Sequence, residues 1–98
     1  MQTTIVSAAQ VVILTAPDCH FCEDGKKSLA RLAADFPLAV REVPWSSSEG
    51  QELVARHGAL FPPAVLLDGR FVGFGRVSER KLRKLLARRL VTPPRSGE

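Results

Sequence analysis

The chain contains two cysteines, and both lie in the tetrapeptide Cys19-His20-Phe21-Cys22. An apolar run, Val11-Val12-Ile13-Leu14, precedes the pair, and a stretch with helical apolar spacing follows it. A thiol in the first turn of a helix faces backbone N–H groups without intrahelical partners and the positive end of the helix dipole. Both favour thiolate over thiol. A second thiol three residues on lies on the same helical face, within reach of a disulfide to the first. The chemistry expected is thiol–disulfide exchange by an activated dithiol. Cys19, at or before the helix N-terminus and the more exposed of the two, is the natural nucleophile, and Cys22 resolves the mixed disulfide. His20, when protonated, favours thiolate at Cys19, and Asp18 opposes it.

Other uses of the pair carry less. As a structural staple it closes too short a loop to restrict the unfolded chain much, and at 45% hydrophobic residues the chain can build a core without it. Cys19, Cys22, His20 and His57 supply thiolate and imidazole, but a structural zinc site needs four converging ligands. His57 ends a later helix and is expected away from the dithiol. No metal site within one chain is expected and no cofactor is required. The alternative from another class is a binding module: a dimer in which two chains pool four thiolates around zinc or an iron–sulfur cluster, or a redox sensor.

The elements that must position the dithiol can be traced along the chain. Val11 to Leu14 reads as a buried central strand, broken by Thr15-Ala16-Pro17-Asp18. From Cys19 to about Phe36 the apolar positions Cys22, Leu29, Leu32, Ala33 and Phe36 follow a helical period, and Pro37 stops it. Leu38 to Val43 is a second strand ended by Pro44. Trp45, expected to cap the core, and Ser46-Ser47-Ser48 form a loop, one serine capping a helix through Leu53 and Val54 to about His57, where Gly58 terminates it. Ala64 to Leu67 and Arg70 to Phe74 flank Asp68-Gly69, a strong hairpin signal. Ser78 caps a last helix with Leu82, Leu85, Leu86 and Leu90 on one face. The order βαβαββα implies an α/β fold: a parallel pair joined by a right-handed crossover, an added antiparallel hairpin, and a four-stranded mixed sheet with helices on both faces.

Ninety-eight residues make one domain, expected over residues 10–91 with loose ends at 1–9 and 92–98. The net charge of +4 is concentrated late, in Arg76, Arg80, Lys81, Arg83, Lys84, Arg88, Arg89 and Arg95. The chain shows no nucleic-acid motif, so this run reads as the solvated face of a terminal helix, and no nucleic-acid partner is expected. The apolar run at 11–14 is too short for a signal segment or a membrane span; a cytoplasmic, membrane-independent monomer is the default expectation.

C-x-x-C at the head of the first helix, X-Pro before the third strand and the Pro-Ala-Val-Leu-Leu-Asp-Gly run at 63–69 together resemble the thioredoxin fold in its small, glutaredoxin-like form. Cys19-His20-Phe21-Cys22-Glu23-Asp24 is similar to the active-site stretch of small bacterial glutaredoxin-like proteins with a C-H-x-C site, and the likeness spans Val11 to Leu90. The resemblance implies a cis proline facing the dithiol, at Pro63, and a substrate groove around Pro62, Pro63, His20, Phe21, Gly73 and Phe74. Phe61 would join Phe21 and Phe74 in an apolar rim; the alternative reading of Phe61 and Phe74 is ordinary core. The resemblance also implies a protein or low-molecular-weight disulfide as substrate and a separate reductant. The chain departs from the pattern in four places. Pro62 removes the backbone N–H that relatives use to bind a substrate cysteine. Ala16 stands where glutaredoxins often carry a basic residue, and Phe74 replaces the second glycine of a Gly-Gly pair begun at Gly73, so the glutathione-binding set is incomplete. Ile13 replaces the buried acid of thioredoxins, leaving deprotonation of Cys22 to solvent or His20.

Overall fold

The computed structural model describes residues 8–91. Its elements run β1 (Ala9–Thr15), α1 (His20–Ala33), β2 (Leu38–Pro44), α2 (Ser48–His57), β3 (Ala64–Leu67), β4 (Arg70–Phe74) and α3 (Glu79–Val91). The strands form one sheet in the order β2-β1-β3-β4. β1 and β2 are parallel, while β3 is antiparallel to both β1 and β4. The order of elements is the expected βαβαββα. β1 begins at Ala9, one residue ahead of the expected domain start: Ala9 is buried and its N–H donates to Pro37 O at 2.9 Å. Of the expected loose ends, residues 1–7 and 92–98 lie outside the described residues.

Strand alternation divides the core between the two faces of the sheet. Ala9, Val11 and Ile13 of β1 meet Leu29 and Leu32 of α1 and Leu82 and Leu86 of α3. Leu14 turns the other way, packing with Val43, Ala64 and Leu66 beneath Leu53 and Val54 of α2 and the half-buried rings of Trp45, Phe71 and Phe74. Helices therefore cover both faces, and Trp45 takes its expected place at the edge of the core. Each buried Val, Leu or Ile contributes about 1.5–3 kcal/mol. No described helix is long and apolar enough to cross a membrane.

Three local details differ from the expected pattern or sharpen it. α1 stops at Ala33, three residues short of Phe36, because Pro37 disfavours helical backbone at the residue before it. Ala33 is exposed, and Gly25 and Ser28 join Cys22, Leu29 and Leu32 on the buried face. A Cβ at Gly25 would stand 2.9 Å from Val77 Cγ2 and 3.2 Å from Ile13 Cδ1, so glycine allows α1 to seat close to β1 and to the segment before α3. At the α2 N-terminus the capping serine is Ser47, whose hydroxyl accepts from Gly50 N at 3.0 Å, and Gly58 closes the helix at φ 71°. In the hairpin, Asp68 (φ 50°) and Gly69 (φ 83°) both adopt the left-handed backbone that a two-residue type I′ turn requires.

Candidate active site

β1 and the turn after it deliver Cys19 to the head of α1. Asp18 takes a left-handed φ of 54°, and Cys19 follows as the N-cap, with extended backbone. Its Sγ accepts from Cys22 N at 3.1 Å, and its carbonyl accepts from Glu23 N at 3.2 Å. The two cysteines are joined as a disulfide, their Cα atoms 5.2 Å apart. Their surroundings differ. Cys22 is fully buried at 0% exposure, among the core side chains of α1, whereas Cys19 is half-buried. With Asp18, His20 and Glu23 it lines an open depression of about 510 Å³. An N-cap sulfur already accepting a backbone N–H is where negative charge is best stabilised on reduction.

His20 and Phe21 project outward from the first turn of α1. His20 Nε2 lies 3.3 Å from Asp24 Oδ2. The Phe21 ring is 41% exposed and carries the Arg76 guanidinium at 5.7 Å from its centroid. The Pro62–Pro63 bond is cis. Pro63 is buried and leads directly into β3, whose Ala64 pairs with Leu14, so the proline stands at the same end of the sheet as Thr15 and the turn to Cys19. Its carbonyl accepts from Gly75 N at 2.7 Å. Gly75 has φ 83°, and a Cβ there would stand 2.9 Å from the Phe61 ring. Phe61 meets Phe74 edge-on at 5.1 Å, and Leu60 and Phe61 remain 75% and 52% exposed. Phe74 thus serves packing more than a glycine-like opening. Gly73 lines a cavity of about 200 Å³ with Val72, Val77 and Lys81.

A charged network missed in the sequence flanks α1. Glu42 pairs with Ile13 across the β1–β2 register, and its carboxylate accepts from Thr15 Oγ1 at 2.6 Å. Lys26 Nζ reaches Glu42 at 3.5 Å and Glu23 at 3.1 Å. The Thr15 hydroxyl, helped by the Lys26 charge, holds the Glu42 carboxyl below the usual carboxylate range against a partial opposition from burial. The hydrogen bond to Glu23 chiefly raises Lys26, with Glu42 adding to it. An acid is thus present opposite Ile13, on the adjoining strand. The signal was the alternation of β2, which puts Val40 and Glu42 on the α1 side. His57, by contrast, stacks on Phe71 at 5.2 Å. Among the described residues no cluster of three or more His, Cys, Asp or Glu could hold a metal ion.

No protein-family model matches the chain. A curated protein of Archaeoglobus fulgidus named Probable Thioredoxin is 23% identical over 74 residues, covering 76% of this chain and 81% of that protein. A mutant thioredoxin from Halobacterium salinarum NRC-1 superposes at TM-score 0.60 and 24% identity, over 80% of this chain and 71% of that one. The solution structure of an uncharacterized thioredoxin-like protein from Clostridium perfringens gives TM-score 0.69 at 11% identity, over 93% and 78%. The fold is therefore thioredoxin-like, with a C-x-x-C pair at the head of its first helix. The proteins it resembles here carry the name thioredoxin, where the sequence pointed more narrowly to glutaredoxins.

Proposed function

We propose that the protein is a thiol–disulfide oxidoreductase of compact, glutaredoxin-like size. The observation that carries the reading is the unequal burial of the two disulfide-bonded cysteines: Cys19 half-buried at a helix N-cap, Cys22 at 0% exposure. In the reduced protein the Cys19 thiolate attacks one sulfur of a substrate disulfide. An S–S bond forms between Cys19 and that sulfur, and the other substrate sulfur leaves as thiolate. Cys22 then loses its proton and attacks Cys19 Sγ. This releases the second substrate thiolate and leaves the Cys19–Cys22 disulfide, so two electrons have passed to the substrate. A separate dithiol reductant restores the pair.

Pro62 supplies no N–H to a docked substrate, and Ala16 and Phe74 lack the usual glutathione-binding character. Glutathione is accordingly not required, and protein or other small disulfides are the substrates of this reading. A monomer working in the cytoplasm completes it. The deciding experiment compares cysteine variants in an insulin-reduction assay. Cys19→Ser should abolish turnover, and Cys22→Ser should accumulate a covalent mixed disulfide detectable by mass. Turnover by Cys19→Ser would overturn the assignment of the nucleophile.

A further inference from the structure

Several cations of α1 and α3 are tied down and others are not. Arg31 pairs with Glu79 at 2.7 Å, Arg83 with Asp35 at 2.9 Å and Arg89 with Asp68 at 2.7 Å, which ties α3 to α1 and to the hairpin. Arg80, Lys84 and Arg88 are exposed, and among the described residues they have no acidic partner. Their spacing of four puts them on one line of the helix, about 12 Å long, opposite the buried Leu82 and Leu86. Like charges at this spacing weaken a helix, and Arg80 sits in the first turn, where the dipole disfavours a cation. The dipole favours Arg88, in the last turn, but not Arg80 or Lys84. Arg76, four residues before Arg80 in the chain, lies over the ring of Phe21, which is between the two cysteines in the sequence. The depression at Cys19 is lined by Asp18, His20 and Glu23, with Asp24 next to His20 and Lys26 paired to Glu23.

We propose that Arg76, Arg80, Lys84 and Arg88 form a docking strip for a partner protein whose disulfide is flanked by an acidic surface. The strip orients that partner so that its acidic side lies along α3 and its disulfide meets Cys19. The inference rests on the oxidoreductase reading for the role of the dithiol, but the strip itself is a binding surface that can be tested alone. A membrane surface is disfavoured because the apolar side of α3 is already buried in the core. A nucleic acid is disfavoured because the chain shows no nucleic-acid motif.

The test uses two synthetic disulfide peptides with one cystine core, flanked on one side by a run of either Glu or Lys. At low ionic strength the protein should reduce the Glu peptide about tenfold faster than the Lys peptide, with rates normalised to a neutral small disulfide. The preference should collapse near ~0.5 M salt, where the Debye length is roughly 4 Å. The triple variant R80E/K84E/R88E should reverse it. Cysteine-free versions of both peptides, titrated by fluorescence anisotropy, read the strip even if no disulfide exchange occurs, and should show the same order and reversal. Equal handling of the two peptides, or a preference that survives the triple variant, would overturn the proposal. So would duplex DNA binding at the same salt more tightly than the cysteine-free Glu peptide.

Discussion

Cys19 and Cys22 share a bond but not an environment, and their neighbours decide how the site can be tuned. Pro62 is the neighbour most easily tested. On the oxidoreductase reading proposed above, a backbone N–H at this position would meet a docked peptide, and Pro62 has none to offer. Pro62→Thr restores that donor and keeps an X–Pro bond ahead of Pro63. A net hydrogen bond contributes about 0.5–1.5 kcal/mol, so kcat/KM for a peptide disulfide should rise about twofold to tenfold. An unchanged value would show that the position does not contact substrate. Glu42 offers a pH test. Its carboxyl titrates below the ordinary 4.5 because Thr15 donates to its charged form, with Lys26 adding to the effect. Its interactions therefore contribute stability that is present in full above pH 4.5 and is lost as the pH falls through the lower folded value. Lys26, raised above 10.5, contributes below 10.5 and loses that contribution as the pH rises through its folded value. The Glu42 side chain is 48% exposed, so the effect is small. Urea midpoints from about pH 6 to about pH 3 should fall less steeply for Glu42→Gln than for the unsubstituted protein. Parallel curves would show that the Thr15–Glu42 bond adds no stability.

At the scale of elements, the short loop between β2 and α2 carries a sharp steric demand. Ser47 bonds back to Pro44 O through both its N–H (3.0 Å) and its hydroxyl (2.7 Å), which folds the loop tightly onto the helix start. A Cβ at Gly50 would run into the Pro44 carbonyl oxygen and stand 2.7 Å from Trp45 O. Both obstacles are backbone. Gly→Ala inside a helix ordinarily gains about 1 kcal/mol. Here the collision should reverse the sign, and Gly50→Ala should lose about 1–3 kcal/mol by denaturant unfolding. A stabilised variant would show that the loop relaxes freely. The elements themselves were legible because breakers punctuate them: Pro17, Pro37, Pro44, Gly58 and Asp68-Gly69 each fall at a boundary. Gly25 and Ser28 escaped notice because neither residue type scores as apolar, although both lie on the buried face of α1. Thr15 and Glu42 escaped notice because 27 residues separate them and only the β1–β2 register brings them together. Arg76 on Phe21 has the same character: an ordinary solvated cation in the sequence, placed over that ring by the turn from β4 to α3.

At the scale of the whole molecule, the question is how far the fold depends on the bond that defines its site. Two apolar clusters, one on each face of the sheet, supply the cohesion, and of the two cysteines only Cys22 is buried among the core side chains. The disulfide spans a sequence separation of three, and a loop that short removes about 2 kcal/mol of unfolded-chain entropy at most. The long-range ties of α3 do not involve it: Arg31–Glu79, Arg83–Asp35 and Arg89–Asp68 join elements far apart in the chain. The reduced protein should therefore keep its fold, as a redox cycle requires. Reduction with a non-thiol phosphine should leave the far-UV circular dichroism unchanged and unfolding cooperative. The loss of stability should be no more than about 2 kcal/mol, equivalent to a fall in Tm of roughly 8–16 °C for a domain of this size. A smaller loss would mean that the helix N-terminus stabilises the Cys19 thiolate enough to offset the lost constraint. Collapse of the fold on reduction would instead make the disulfide structural and remove the basis for a reversible redox role.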